Sequence, residues 1–201
     1  MSIDRQLGRA VAQVPTVSVD GRYYRFTSKA RLSAALDGSS RGGRWGPPGA
    51  FNVLYLTDDY EGCVIEAHRH ASDDVLDVTK PTPANLALLT VDVDVTNIVD
   101  LRTARRRMEL GLEPAILNSE PQASTGAAYV ACSQIAQAAH QLGRHGLIVP
   151  SATQRGLTLA LFIDRLPADQ KPVRVGGVSE WTQMPADPRR LRMIQDDSGS
   201  L

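Results

Sequence analysis

The sequence has very few cysteines, Cys63 and Cys132 in 201 residues. One pair cannot staple a domain of this size, and the two are not spaced as a CxxC motif. Neither a disulfide framework nor a structural zinc site is therefore predicted. Both cysteines lie in apolar stretches, so we expect buried free thiols in a reducing cytoplasm. His68 and His70 would diverge by about 200° on a helix, so no metal site is predicted there either.

Other absences narrow the class of protein. No apolar run approaches the roughly 18 residues of a membrane span, and the N-terminus lacks the apolar stretch of a signal peptide. The 22 cations and 22 anions sum to zero, which argues against binding nucleic acid or an anionic membrane by bulk charge. The GxGxxG and Walker A motifs are also missing, so the usual phosphate-binding loops are absent.

The order of predicted elements mixes strands and helices without a regular βαβ rhythm. This order predicts an α+β fold rather than a doubly wound parallel sheet. We predict strands at 22–26, 52–56, 86–95, 97–101, 147–149, 157–163 and 173–178, where aromatic or alternating apolar residues concentrate. We predict helices at 29–36, 103–110 and 126–142, and a short polar helix within residues 1–20.

Turn signals and polar stretches divide these elements. The segment from Asp58 to Glu61 has the form of a capping box and predicts a helix that runs to about Ser72. Loops are predicted at 38–50, 73–85 and 111–125, the first because it holds five glycines and two prolines. The polar tail beyond Met184 is expected to be frayed or bound to a partner. The length suits one domain over residues 1–201.

Four residues are candidates for chemistry, and each has an ordinary alternative. Glu66 lies in a largely apolar helical stretch, although a surface acid would suit its helix face. Arg25 lies within an aromatic strand and Arg44 within a glycine-rich loop, where either could be a structural or surface arginine. Ser151 follows a short apolar strand, which is a usual place for a turn serine.

The remaining basic residues are expected at the surface. Arg102, Arg105, Arg106 and Arg107 form either a solvated helix face or a patch that binds a partner. His140 and His145 flank the end of the predicted 126–142 helix, where we expect surface residues.

Five short segments follow one another in a distinctive order: YYRF at 23–26, GGRWGPPG at 42–49, LYLT at 54–57, VIEA at 64–67 and GLIVPSA at 146–152. In this order and spacing they resemble the RES-domain family of bacterial toxins, over roughly residues 22–165. Residues 1–20 and 166–201 would be extensions of a single RES-like domain. The resemblance implies an ADP-ribosyltransferase-like α+β fold, with a mixed, split sheet and flanking helices.

The resemblance also implies a reaction, the cleavage of NAD⁺ at its nicotinamide–ribose bond. Arg25, Tyr55 and Glu66 match the family's catalytic positions, and Arg25, Arg44, Tyr55 and Ser151 match positions that would bind NAD⁺. NAD⁺ would be a substrate, with no cofactor and no metal. A carboxylate at Glu66 suits this chemistry because positive charge grows on the ribose as nicotinamide leaves. The acceptor stays open between water, inorganic phosphate and a protein, so glycohydrolase, phosphorylase and ADP-ribosyltransferase activities all remain.

A toxin of this family implies a protein partner. The resemblance implies a type II toxin–antitoxin pair with a helix-turn-helix antitoxin of the Xre type. It implies no direct contact with nucleic acid or membrane, and a homo-oligomer within the toxin–antitoxin complex is a further assembly to consider. The alternative is a catalytically silent module that holds a nucleotide or serves as a scaffold for a DNA-binding antitoxin. Release of free nicotinamide from NAD⁺ distinguishes the two.

Overall fold

A computed structural model of the chain describes residues 5–72, 85–113 and 127–189. These residues form a mixed six-stranded sheet with helices packed against it, which confirms the predicted α+β class. In chain order the elements are α1 (Arg5–Gln13), β1 (Thr16–Ser28), a 3₁₀ helix (Lys29–Ala34), β2 (Val53–Thr57), α2 (Tyr60–Ser72), β3 (Leu86–Asp100), α3 (Ala104–Glu109), α4 (Ala127–Gln141), β4 (Gly146–Pro150), β5 (Leu157–Phe162), a second 3₁₀ helix (Ala168–Gln170) and β6 (Val173–Glu180).

The strands lie in the order β1-β2-β5-β4-β3-β6, and β1 pairs with β3 as well. Five strands therefore close into a ring, and β6 pairs with the N-terminal half of β3 on the edge whose C-terminal end pairs with β4. Every pairing is antiparallel except that of β3 with β4. The long β1–β3 ladder runs from Thr16 opposite Val99 to Ser28 opposite Leu86 and is the main support of the sheet.

The apolar core has three parts, because side chains alternate between the two faces of each strand. One cluster draws residues from all five strands of the ring and fills its interior, with Leu54, Leu89 and Leu159 among its members. A second lies between the outer face of the sheet and helices α1 and α4, and it includes Trp45 and Phe162. A third, smaller cluster packs α2 against β1 and β3.

The ring is weakest between β1 and β2, which share the single pair Tyr24–Thr57. On the same edge of β2, Val53 pairs with Ser39 rather than with β1. The glycine-rich 38–50 loop thus enters the gap where the two strands diverge, which we call the split. An interrupted pairing of this kind leaves main-chain hydrogen-bonding groups of the two strands without a partner in the neighbouring strand.

Two predicted strands, 86–95 and 97–101, are a single strand, β3. The chain continues through Asn97 in a left-handed conformation, with φ of 58°. The register with β1 shifts here, since Val19 lies opposite Val95 but Val17 lies opposite Ile98. This is a β-bulge, and asparagine is among the few side chains that tolerate its backbone conformation.

Helix α2 starts within the segment from Asp58 to Glu61 that was predicted to cap it. The helix is capped by Asp59, whose Oδ1 accepts from the Gly62 N–H at 2.6 Å, and not by Asp58. Asp58 Oδ1 instead accepts from the Leu157 N–H at 2.6 Å. The helix does reach Ser72 as predicted.

The other segments mostly agree with expectation. Residues 29–34 are 3₁₀ rather than α-helical, and the helix predicted within residues 1–20 covers 5–13. The predicted loops at 73–85 and 111–125 lie almost wholly outside the described residues, as does the tail from residue 190 onward. Within the described part of this tail, the Pro185 carbonyl lies 2.8 Å from His68 Nε2 on α2, which anchors the chain at that residue.

In the parts of the chain that the structure describes, none of the helices has both the length and the apolar character that crossing a bilayer requires.

Candidate active site

Arg25 lies in the split, one residue beyond the last pair that β1 makes with β2. Its guanidinium spans the gap, and Nη1 donates to the Tyr55 carbonyl at 2.9 Å. Nε is buried and has no hydrogen-bond partner in the structure. Burial lowers the pKa of Arg25, and the positive charge of Arg31 lowers it further. An arginine held this way has donor capacity left for an anionic ligand.

Tyr55 is held at both ends. Its carbonyl accepts from Arg25, and its hydroxyl accepts from the Trp45 N–H at 2.9 Å. Burial raises the pKa of Tyr55, so the phenol stays neutral at physiological pH. The hydrogen bond from Trp45 and the charge of Arg44 lower this pKa, but by less than burial raises it.

A tight turn at residues 43–46 presses the glycine-rich loop onto β2. Gly43 and Gly46 exchange two main-chain hydrogen bonds, of 3.0 and 3.2 Å. A Cβ at Gly43 would lie 2.8 Å from the Tyr55 hydroxyl, and one at Gly46 would lie 2.7 Å from Val53 Cγ2. Only glycine fits either position, which explains the GGRWG motif physically.

The two side chains between these glycines, Arg44 and Trp45, lie in different surroundings. Trp45 is buried in the cluster under α1 and α4. Arg44 is half-buried, and its Cζ lies 5.2 Å from the centre of the Tyr129 ring, in cation–π geometry. The turn therefore holds an arginine and two tyrosines, Tyr55 and Tyr129, on one side of the split.

Glu66 approaches from the other side, on α2. It is half-buried and lies one helical turn from the buried Cys63. Burial raises the pKa of the Cys63 thiol to about 12; the charge of Arg25 opposes this rise and that of Glu66 adds to it. Glu66 thus lies three residues from Cys63 on the helix that packs against β1, the strand that carries Arg25.

Ser151 occupies a different position. It begins the turn that joins β4 to β5, residues 151–156, which we call the Ser151 hairpin. Its Oγ accepts from the Thr153 N–H at 3.2 Å and lies 2.8 Å from Thr153 Oγ1. By strand register, Leu147 aligns with Tyr55 across β5, and Ser151 lies four residues further along β4. The hairpin reaches the first turn of α2 rather than the gap itself.

The structure therefore brings Arg25 and Tyr55 together at the split, places Arg44 in the turn that contacts the Tyr55 hydroxyl, and puts Glu66 on α2, which packs against β1. Sequence reasoning missed Arg31 and Tyr129. The signal for Tyr129 was an aromatic residue near the start of an alanine-rich helix, and that for Arg31 a cation just after the YYRF strand.

The surface assignments of His140 and the basic run need correction. The His140 ring stacks on Phe51 with centroids 4.1 Å apart, and its Nε2 lies 2.7 Å from Asp164 Oδ2, so the side chain is largely covered. In the basic run, Arg102 and Arg106 both bind the buried Asp100 carboxylate. Arg107 donates to two main-chain carbonyls. The solvated interpretation holds for Arg105, which is 88% exposed.

Comparison with known proteins identifies a matching family and related sequences. The family model described as RES domain matches residues 21–184. Two relatives, each named NAD(+) phosphorylase MbcT, come from Mycobacterium tuberculosis and Mycobacterium bovis. Each is 29% identical over 174 residues, which span 86% of this chain and 90% of the relative.

The fold has a counterpart among solved structures. The crystal structure of the M. tuberculosis MbcT–MbcA toxin–antitoxin complex contains a chain that superposes with a TM-score of 0.74 at 27% identity. The match covers 90% of this chain and 94% of that one. With a family match over most of its length and a superposable relative, this protein belongs to the RES-domain family.

Proposed function

We propose that this protein is a toxin that cleaves NAD⁺ at the nicotinamide–ribose bond and transfers ADP-ribose to inorganic phosphate. The observation that carries the proposal is the hydrogen bond from Arg25 to the Tyr55 carbonyl across the split, with α2, the helix of Glu66, packed against the strand of Arg25. A cation for the dinucleotide, an aromatic ring and a carboxylate for the ribose are thereby proposed to line one site. The RES-domain relatives named NAD(+) phosphorylase support the same activity.

The chemistry of the substrate explains why one carboxylate suffices. Nicotinamide is bound to ribose as a cationic pyridinium and departs neutral, so no general acid is needed, unlike the two-carboxylate glycosidases. Positive charge then grows on the ribose in an oxocarbenium-like transition state. Glu66, on α2 beside the split, is the acid proposed to stabilise that charge.

The arginines are proposed to bind the phosphates of the substrate. The pyrophosphate of NAD⁺ is dianionic, and arginine binds phosphate oxygens in pairs. Arg25 has an unpartnered Nε and a second cation, Arg31, within electrostatic range. Arg44 lies in the turn whose Trp45 N–H binds the Tyr55 hydroxyl. We assign Arg25 and Arg44 to the pyrophosphate and the Tyr55 ring to the nicotinamide face.

Ser151 is assigned to the ribose end of the substrate. Its hydroxyl is engaged with Thr153, so it would exchange that contact for a substrate hydroxyl. The hairpin that carries it touches the helix of Glu66, which places a donor and the carboxylate on adjoining elements.

Phosphate is proposed as the acceptor because the relatives are named NAD(+) phosphorylase. In phosphorolysis one phosphate oxygen forms a bond to the ribose carbon as the bond to nicotinamide breaks. The products are nicotinamide and ADP-ribose carrying a phosphate on that carbon. Water as acceptor would give ADP-ribose alone, and a protein acceptor would become modified.

The test is an assay of the purified chain with NAD⁺, with and without inorganic phosphate, that follows nicotinamide and the ADP-ribose products by chromatography. We expect nicotinamide release that requires phosphate, with equal amounts of the phosphorylated product. Release without phosphate, yielding ADP-ribose, would make the enzyme a glycohydrolase. No release under any condition would favour the silent scaffold.

A protein antitoxin is proposed as the partner, since the solved relative was crystallised as a toxin–antitoxin complex. We propose a helix-turn-helix protein of the Xre type that covers the split, in the cytoplasm. Co-expression with the product of the adjacent gene, followed by size-exclusion chromatography with light scattering, gives the stoichiometry of the complex. A complex that forms and leaves NAD⁺ cleavage undiminished would contradict occlusion of the split.

A further inference from the structure

The Ser151 hairpin is fixed to the first turn of α2 by Arg155. Its Nη1 lies 2.6 Å from Glu61 Oε2, and its Nε lies 3.2 Å from Asp59 Oδ1. Both partners belong to the start of the helix that carries Glu66. The Arg155 side chain is only 25% exposed, so this double ion pair is screened less than one on an open surface.

Contacts made to the main chain of the hairpin reinforce the same junction. Asp58 Oδ1 accepts from the Leu157 N–H at 2.6 Å, and the Asp58 N–H donates to the Leu157 carbonyl at 3.3 Å. A Cβ at Gly62 would lie 3.1 Å from the Arg155 carbonyl, so the helix approaches the hairpin main chain directly. Gly156 adopts a φ of 62° and faces Asp58 closely.

Inside the hairpin, the contacts lead from Arg155 to Ser151. The Arg155 N–H donates to Thr153 Oγ1 at 3.3 Å, and Thr153 Oγ1 lies 2.8 Å from Ser151 Oγ. The position of the Ser151 hydroxyl is therefore coupled, through two short steps, to an arginine bound to α2.

We propose that Arg155 is a positioning residue that sets Ser151 relative to Glu66 by docking the hairpin on the start of α2. It touches neither the split nor the substrate assigned to it. The proposal rests on the proposed NAD⁺ cleavage, in which Ser151 and Glu66 act on the same ribose. A shift of about 1 Å between such groups is enough to slow a reaction by about 10²-fold.

The experiment compares Arg155→Ala and Arg155→Lys with wild type in nicotinamide release, well below the melting temperature of each. We expect Arg155→Ala to lower kcat by about 10- to 100-fold and to change KM for NAD⁺ by less than about threefold, because Arg25 and Tyr55 are untouched. Arg155→Lys should recover part of kcat, since an ammonium keeps the charge but cannot fork onto two carboxylates.

Two further variants make the comparison specific. Arg105→Ala removes a matched arginine–glutamate pair on α3, with Glu109, and should leave kcat at the wild-type level. Glu61→Gln combined with Arg155→Ala should be no slower than Arg155→Ala alone, because both changes break one interaction. A folded Arg155→Ala variant with wild-type kcat would overturn the proposal.

Hydrogen exchange measures the docking of the Ser151 hairpin on α2 separately from catalysis. We expect the Leu157 and Gly62 amides to exchange faster in Arg155→Ala and to keep wild-type rates in Arg105→Ala. Unchanged protection of both amides in Arg155→Ala would show that the hairpin docks without Arg155 and would overturn the proposal. If the wild type is inactive while Arg155→Ala shows altered exchange, the proposed function is refuted, but the role of Arg155 in docking the hairpin stands.

Discussion

At the scale of single residues, the charge of Glu66 is what the proposed reaction depends on most. Glutamine keeps the shape of the side chain and removes the charge. We expect Glu66→Gln to lower the rate of nicotinamide release by about 10²–10³, the loss typical of one positioned electrostatic group. Affinity for NAD⁺ should hardly change, since the bound substrate is not yet oxocarbenium-like. Turnover and calorimetric affinity, measured together, test both expectations.

The matched control for this change is Glu109→Gln, which neutralises an exposed acid on α3. It should turn over NAD⁺ as the wild type does. If Glu66 were an ordinary helix acid, the two variants would behave alike, and expression of Glu66→Gln without an antitoxin would still arrest growth.

Arg25 donates to the Tyr55 carbonyl and is also proposed to bind NAD⁺, and an experiment can separate these two roles. Arg25→Ala should weaken NAD⁺ binding by about 1.5–3 kcal/mol, the usual contribution of a charged donor to a ligand oxyanion. Nicotinamide carries no phosphate, so its affinity should not change. Calorimetry with both ligands decides the matter. Equal losses would mean that Arg25 serves mainly to hold the Tyr55 carbonyl across the split.

At the scale of elements, the turn at residues 43–46 is the feature whose geometry is most demanding. In Gly43→Ala the new methyl would meet the Tyr55 hydroxyl at 2.8 Å, so either the ring or the turn must move. We expect a loss of about 1–3 kcal/mol in the free energy of unfolding, together with slower nicotinamide release.

Gly8→Ala is the matched control for Gly43→Ala. Gly8 lies on α1 with nothing within 4 Å of a Cβ, so alanine there should stabilise the helix by about 0.5–1 kcal/mol. Urea unfolding of both variants checks the contrast. A Gly43→Ala protein as stable and active as the wild type would show that the turn is not seated as described.

The elements also show what the sequence can and cannot predict. Strands with alternating apolar residues, such as 157–162, and the alanine-rich helix α4 follow from local patterns, because burial of one face dictates them. The bulge at Asn97 and the cap at Asp59 depend on partners elsewhere, a strand across the sheet in one case and the Ser151 hairpin in the other. Local patterns carry no information about such partners, so the bulge and the exact capping residue were not predicted.

At the scale of the whole molecule, the candidate site is assembled from β1, the 38–50 loop, β2, α2 and α4. The motifs indicated Arg25, Tyr55 and Glu66 because they resemble a family in order and spacing. They did not show where the sheet splits, because that depends on the pairing of β1 with β2 being limited to Tyr24 and Thr57. Tyr129 joins the site because α4 brings its ring against Arg44, which is a property of the tertiary fold.

The stability of the whole fold has an acid-sensitive contribution at Asp100, which ends β3 where three parts of the chain meet. Its N–H donates to the Pro15 carbonyl before β1, and its buried carboxylate binds Arg102 and Arg106 at the start of α3. The hydrogen bonds from Arg102, followed by that from Arg106, hold the pKa of Asp100 at about 2, below its ordinary value of 3.8. The folded state therefore favours the ionised form, and this stabilisation is complete above the unfolded pKa.

Asp100→Asn removes that contribution, so the variant should lose about 2 kcal/mol of unfolding free energy at pH 7. The difference from wild type should shrink as the pH falls from about 4 towards 2, because the wild-type carboxylate then becomes protonated. Urea unfolding of both proteins across this range gives the two curves. Curves that stay parallel down to pH 2 would show that Asp100 stabilises the junction by its shape and neutral hydrogen bonds, and that its charge contributes nothing.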